Sequence, residues 1–255
     1  MGPYPLFSCA DWDALGADMS ELDESLVSMV LVPDPLAGVE RTALERAFPD
    51  LVKEFKAHLV RDLEAPVDIP AHHRRHLRRA GRSVDVELCA EPNDHLADWN
   101  RLYDELIVRH GLVGIHAFSR EAFRRQFEVP GLVALRAERD GVTVGMTLWF
   151  EDPPNAHYHL GAYSKKGYEV SASYALVGAA LDHLSQRGVR WVDLGGPAGS
   201  GPVEDGLVRF KRGWANEERT AYLCGRILNR RVYDRLVAER SGANPGWFPA
   251  YRAAG

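Results

Sequence analysis

Asp193-Leu194-Gly195-Gly196 and, beyond a proline- and glycine-rich loop, Gly206-Leu207-Val208-Arg209-Phe210-Lys211-Arg212-Gly213-Trp214 are the residues best suited by type and spacing to chemistry. An apolar strand that ends in twin glycines lets backbone approach a ligand closely, because no Cβ intervenes. The basic turn that follows brings Arg209, Lys211 and Arg212 near the gap at Gly195 and Gly196. Cations there can bind phosphate or hold the oxyanion of a tetrahedral intermediate. Asp193 closes the strand, where a carboxylate can deprotonate or orient an amine, or can tie down the glycine turn by hydrogen bonds.

A second group of candidates is basic. Residues 71–82 hold Arg74, Arg75, Arg78, Arg79 and Arg82 with His72, His73 and His76, and no acid. Residues 206–231 carry seven Lys/Arg against Glu217 and Glu218, whereas residues 1–70 carry fourteen Asp/Glu against five Lys/Arg. Two basic islands on a chain of net charge −5 suit a localised polyanion site better than general coating of nucleic acid. The three histidines are expected to join that polyanion surface. Lys165 and Lys166 precede a helix that begins at Ser171, so they and its N-terminus can meet a phosphate. Ser171 also reads as the cap of that helix. Tyr158 is expected to face the core or a substrate, and Tyr174 to pack. His157 and His159, two apart on a strand, share a face, but no third residue at a supporting spacing completes a metal site.

The elements that must hold these residues are legible in outline. Residues 26–32, 40–48 and 53–61 read as strand, helix and an ill-defined strand, and 72–82 as a basic helix stopped at Gly81. Residues 83–90 alternate as a strand. A helix follows from Pro92 to His110, ended by Gly111, and Ser119 caps a shorter one. Strands 132–139 and 142–150 flank Asp140-Gly141, a hairpin turn, and 156–163 forms a third strand. Ala172, Ala175, Leu176, Ala179, Ala180 and Leu184 mark an amphipathic helix ended by Gly188. A strand at 189–194, the loop 197–206, the segment 207–214, a strand near 220–228 and a helix near 231–240 complete the order. Residues 241–255 read as a loosely ordered tail. Propensity alone gives an α+β protein with one mixed sheet.

Composition excludes other classes. With 45% hydrophobic and 26% charged residues the chain is an ordinary globular one. Cys9, Cys89 and Cys224 lie far apart, without zinc or disulfide spacing, and read as small apolar residues. The first residues lack the basic start and apolar run of a secretory signal, and no stretch is long enough to cross a bilayer, so a cytoplasmic location is expected.

Asp193-Leu194-Gly195-Gly196, Gly206-Leu207 and Phe210-Lys211-Arg212-Gly213-Trp214 together resemble the closing signature of the Fem-type transferases, aminoacyl-tRNA-dependent enzymes that build peptidoglycan cross-bridges. The segment from His73 to Ala80 resembles the basic helix before the second acetyltransferase-like domain of that family, and the resemblance spans about residues 68–240. It implies a GNAT-like mixed sheet flanked by helices, in which an amine attacks an activated acyl ester. It further implies that Phe210 and Lys211 meet the aminoacyl end of tRNA, with Lys211 steadying the oxyanion and Arg209, Arg212 and Trp214 close by. Arg74, Arg75, Arg78 and Arg79 are then expected contacts to tRNA or acceptor phosphate. The implied division is a partial N-terminal subdomain over 1–80, a catalytic domain over 81–240 and the tail. Because 1–80 can hold only part of a first domain, a small peptide-like amine acceptor is expected in place of a cell-wall precursor or alongside it. No metal or organic cofactor is required, aminoacyl-tRNA serving as co-substrate. The competing reading is an acyl-CoA N-acyltransferase; the turn at 164–172 lacks the glycine spacing with which such enzymes cradle pyrophosphate.

Overall fold

The computed structural model describes residues 6–22, 26–197, 206–240 and 246–252. In chain order the elements are β1 (Leu6–Phe7), α1 (Leu15–Asp18), β2 (Ser28–Pro33), α2 (Arg41–Ala47), β3 (Leu51–Asp62), α3 (Ala71–Ala80), β4 (Asp85–Leu88), α4 (Leu96–His110) and α5 (Arg120–Phe127). They continue as β5 (Leu132–Arg139), β6 (Val142–Asp152), β7 (Asn155–Tyr163), α6 (Lys165–Glu169), α7 (Ala172–Gln186), β8 (Trp191–Gly195), α8 (Gly206–Arg212), β9 (Glu217–Ile227) and α9 (Arg230–Glu239). Among the described residues no helix is long and apolar enough to cross a membrane.

The chain forms two compact units, Leu59–Glu218 and a second made of Tyr4–His58 with Arg219–Gly255. The division differs from the one expected at residue 80. The end of β3 pairs with β8, Val60 opposite Asp193 and Asp62 opposite Trp191, and α3 packs on α7, so both belong to the larger unit.

In the larger unit the sheet runs from the end of β3 through β8, β7, β6, β5 and β4. Among its described pairs only β7 and β8 are parallel; the others are antiparallel. The β5–β6 turn has Asp140 at φ 53° and Gly141 at φ 75°, the two positive angles that match the twist of a tight hairpin. One face buries Trp149, Ala156 and Val192 beneath Ala172, Leu176, Ala180 and Leu184 of α7. The other buries Met146, Leu148 and Ala162 beneath Trp99, Leu102, Phe123 and Phe127 of α4 and α5. Each sheet face therefore has its own helical cover. Burying such side chains contributes roughly 1.5–3 kcal/mol apiece before entropy is counted.

Local signals set the helix ends. Ser119 accepts the Ala122 amide at the start of α5, and Gly111 takes the left-handed conformation that ends α4. Ser171 stands at the start of α7 but at φ 64° and without a side-chain cap bond, contrary to expectation; its hydroxyl is turned to His76 instead.

In the smaller unit β2 lies between β1 and β9, and β9 lies beside β3. Leu15, Leu31, Leu44, Phe48 and Cys224 form its core. Asp50 accepts the Ile227 amide at 2.7 Å and pairs with Arg230 at 2.6 Å. The described part of the tail is packed and not loose. The Phe248 ring fills the space where Gly225 lacks a side chain, and Tyr251 Oη lies 2.8 Å from Ser28 Oγ.

Candidate acyl-transfer site

β7 and β8 pair only from Asn155 opposite Trp191 to His157 opposite Asp193, although β7 continues to Tyr163. Past that point the two strands part. On the α7 face, Tyr158 is the first β7 side chain beyond the paired stretch, packed edge-on against Trp149. β8 ends at Gly195, whose φ of 82° turns the chain in a way that disfavours any residue with a Cβ. The Lys211 ammonium reaches this mouth from α8. Its Nζ lies 5.6 Å from the Tyr158 ring centroid, and a Cβ added at Gly195 would stand 3.2 Å from it. A cation over a half-buried phenol face is held by the ring quadrupole, worth about 0.5–2 kcal/mol. The ammonium is thus at the strand end and not out in solvent.

The segment that carries Lys211 is anchored from below. His73 of α3 is buried, stacks on Phe210 at 5.9 Å, and its Nε2 lies 2.9 Å from the Phe210 carbonyl. A Cβ at Gly213 would overlap the His73 imidazole, so the glycine of the signature makes room for that ring. Trp214 is buried and lies edge-on to His73; it is a core residue and does not face the mouth. Tyr174 of α7 meets Phe210 at 4.9 Å, stacks on His76 at 4.6 Å, and its hydroxyl is 3.0 Å from His72 Nε2. His76 Nδ1 is 2.8 Å from Ser171 Oγ. Of the three histidines expected on a polyanion surface, His73 is buried, His76 half-buried and His72 exposed. Burial, reinforced by His72, pushes the His73 pKa down, and burial with His72, Arg75 and Arg79 does so for His76.

Asp193 is positioned differently from the expected base. Its neighbours Val192 and Leu194 enter the core beneath α7, so its carboxylate points to the opposite face, where His157 is its register partner. It is buried, and its Oδ1 accepts the Gly195 amide at 2.7 Å, fixing the turn. The bond to the Gly195 amide gives Asp193 the turn-tying role that its residue type allowed.

The remaining candidates fall into three places. Arg75, Arg78 and Arg79 are exposed on α3 with no carboxylate partner among the described residues, whereas Arg74 is paired with Asp68 at 3.0 Å. Arg209 and Arg212 are exposed on α8, and Arg212 lies 3.6 Å from Glu218. Arg226 and Arg230, in the same basic run, are spent in the smaller unit on the Ala47 carbonyl and Asp50. Lys166 pairs with Glu169 at 3.6 Å. Lys165 lines a cleft of about 440 Å³ with Asp104, Glu105, Val108, Arg109 and Tyr163. Gly196 follows the turn in a half-buried position. The strand pair His157/His159 is broken by a bulge: Leu148 faces Leu160 and Trp149 faces Tyr158, leaving His159 extra. His159 is buried beneath α5, its Nε2 2.7 Å from Gln126 Oε1, and burial pushes its pKa down to about 4.

Residues that sequence reading passed over join the site here. Tyr163 hydrogen-bonds the Tyr158 hydroxyl over Gly161, and burial raises both phenols, Tyr158 to about 12. His73 carried a signal in its spacing, since His73, Leu77 and Ala80 fall at i, i+4 and i+7 on the inner face of α3.

Residues 70–212, more than half of the chain, match the family described as Acetyltransferase (GNAT) domain. The chain belongs to that family. Among solved structures it is similar to FemX at 14% identity, with a TM-score of 0.67 over 88% of this chain and 80% of that one. It is also similar to the C-terminal domain of a putative lysylphosphatidylglycerol synthetase from Agrobacterium fabrum, at 15% identity and TM-score 0.56, over 73% of this chain. L-PGS from Bacillus licheniformis matches at 17% identity and TM-score 0.53, over 71% of this chain. The chain spans 65% and 62% of those two structures, just under two thirds. At these identities the likeness is one of fold, and it agrees with the Fem-type resemblance of the motifs. No curated protein matches the sequence significantly.

Proposed function

We propose that the protein is an aminoacyl-tRNA-dependent transferase that joins an aminoacyl group to the amine of a small peptide-like acceptor. The observation that carries this reading is the Lys211 ammonium held at the end of β8, over Tyr158, where β7 and β8 part. The acceptor nitrogen attacks the ester carbonyl carbon in the mouth. The carbonyl oxygen becomes an oxyanion beside Lys211, which lowers the barrier by stabilising charge that exists only at that stage. Attack forms the C–N bond; collapse of the intermediate restores the carbonyl and breaks the C–O bond, and the terminal ribose oxygen leaves as a hydroxyl with the proton that the nitrogen gives up. Ester aminolysis is downhill, so positioning and charge stabilisation suffice, with no metal or organic cofactor. Asp193 takes no part in these steps and holds the Gly195 turn.

Two further observations favour tRNA as carrier over coenzyme A. Arg75, Arg78 and Arg79 offer α3 as an unpaired cationic face to a polyanion. The turn at 164–171 uses its own amides: Gly167 donates to Ser164 Oγ, Tyr168 to the Ser164 carbonyl, Val170 to Lys166 and Ser171 to Tyr168. Amides so engaged are withdrawn from a pyrophosphate. By the same reading Lys165, in its cleft, is the residue of this turn left to meet substrate.

The test is a transfer assay of radiolabelled aminoacyl-tRNAs and acyl-CoAs to small peptides. Transfer from aminoacyl-tRNA is expected, and Lys211→Ala is expected to lower kcat by roughly 10²–10³. Turnover of acyl-CoA alone, with no response to charged tRNA, would refute the tRNA reading.

A further inference from the structure

α8 is two turns long and ends at Arg212, so its last carbonyls must find partners outside the helix ladder. The Trp214 and Ala215 amides both go to the Lys211 carbonyl. The Phe210 carbonyl, which an amide at position 214 would take in a continuing helix, instead lies 2.9 Å from His73 Nε2. A carbonyl only accepts, so Nε2 carries the proton; the other ring nitrogen, Nδ1, is buried with no hydrogen-bond partner. The imidazole is clamped on every side, by Phe210, Trp214, Tyr174 and the space at Gly213.

We propose that His73 is the positioning residue for Lys211: by capping the Phe210 carbonyl it fixes the Phe210–Lys211 peptide and so sets the ammonium at the end of β8. The importance of that placement rests on the role given to Lys211 above; the placement itself does not. The arrangement ties the basic helix to the signature segment through one hydrogen bond and one stacked ring. It also explains the glycine at 213, since any side chain there would displace the imidazole. Lowered basicity of the ring agrees with a single, neutral tautomer.

The experiment compares wild type with His73→Leu, which removes the donor, His73→Gln, which keeps an amide N–H near the reach of Nε2, and Gly213→Ala, which displaces the ring. Two readouts are taken. The first is the rate at which Lys211 is acetylated by limiting acetic anhydride, measured by mass spectrometry. It is expected to rise several-fold in His73→Leu and Gly213→Ala and to return toward wild type in His73→Gln. The second is aminoacyl transfer, where kcat is expected to fall roughly 10–100-fold with little change in KM for the charged tRNA. Unaltered Lys211 reactivity in folded His73→Leu or Gly213→Ala overturns the proposal, whatever happens to activity. Raised reactivity alongside a Lys211→Ala enzyme that still transfers upholds the placement and defeats the catalytic reading instead. Should either variant fail to fold, imidazole nitrogen NMR of wild type decides: Nε2–H on His73 supports the assignment, and Nδ1–H refutes it.

Discussion

Gly195 concentrates two demands in one residue. Its φ of 82° is open to glycine and strained for any other residue, and its missing side chain leaves the Lys211 ammonium its place at 3.2 Å from where a Cβ would stand. Gly195→Ala is therefore expected to lose about 1–2 kcal/mol of stability, measured by urea denaturation. Because the far end of a lysine moves easily, the ammonium should be displaced from the carbonyl it steadies, lowering kcat by roughly tenfold. A variant with normal turnover and lowered stability would mean that Lys211 does not act from this position. The signature's glycines and Lys211 could be read from residue type, because close approach and positive charge each admit few residue types. His73 could not, since a histidine among arginines has the composition of an exposed face and only its helical spacing points inward.

At the scale of elements, α3 divides its labour by face. His73, Leu77 and Ala80 hold it to α7 and α8, while Arg75, Arg78 and Arg79 face solvent. Replacing those three arginines by alanine should leave the fold intact and weaken tRNA binding. It should also reduce the steepness of log K against log salt by about 0.7–0.9 for each phosphate no longer neutralised, read from titrations at several salt concentrations. An unchanged slope would place the polyanion elsewhere. Elements were mostly legible because caps and turns are local: Asp140-Gly141, Ser119 and Gly111 each act within a few residues. α6 escaped notice as a five-residue helix, and the bulge at His159 escaped because register depends on the partner strand, which no local pattern specifies.

For the whole molecule, buried neutral imidazoles make stability depend on pH. His159 has an ordinary value of 6.5 and a folded value of about 4, through burial first. The unfolded chain binds its proton first as pH falls. Stability is thus fully present above pH 6.5 and lost between 6.5 and about 4, by about 3 kcal/mol for this group. His73 and His76, shifted the same way, add to the loss. Urea denaturation from pH 7.5 to 4.5 should show the decline, and His159→Leu should flatten it; an equally steep curve in that variant would remove His159 as its source.

The smaller unit is assembled from both ends of the sequence, Tyr4–His58 and Arg219–Gly255. Ser28 has Ile227 as its register partner, and Leu31 has Cys224. A ribosome therefore releases β2 long before the strand that will cover its open edge exists. Until then that edge can bond to any extended chain nearby, including another copy. In the larger unit the end of β3 waits in the same way for β8, but the hairpins from β4 to β7 pair as they emerge. Nascent molecules are accordingly most vulnerable to mispairing late in translation, with one half built and the other unfinished.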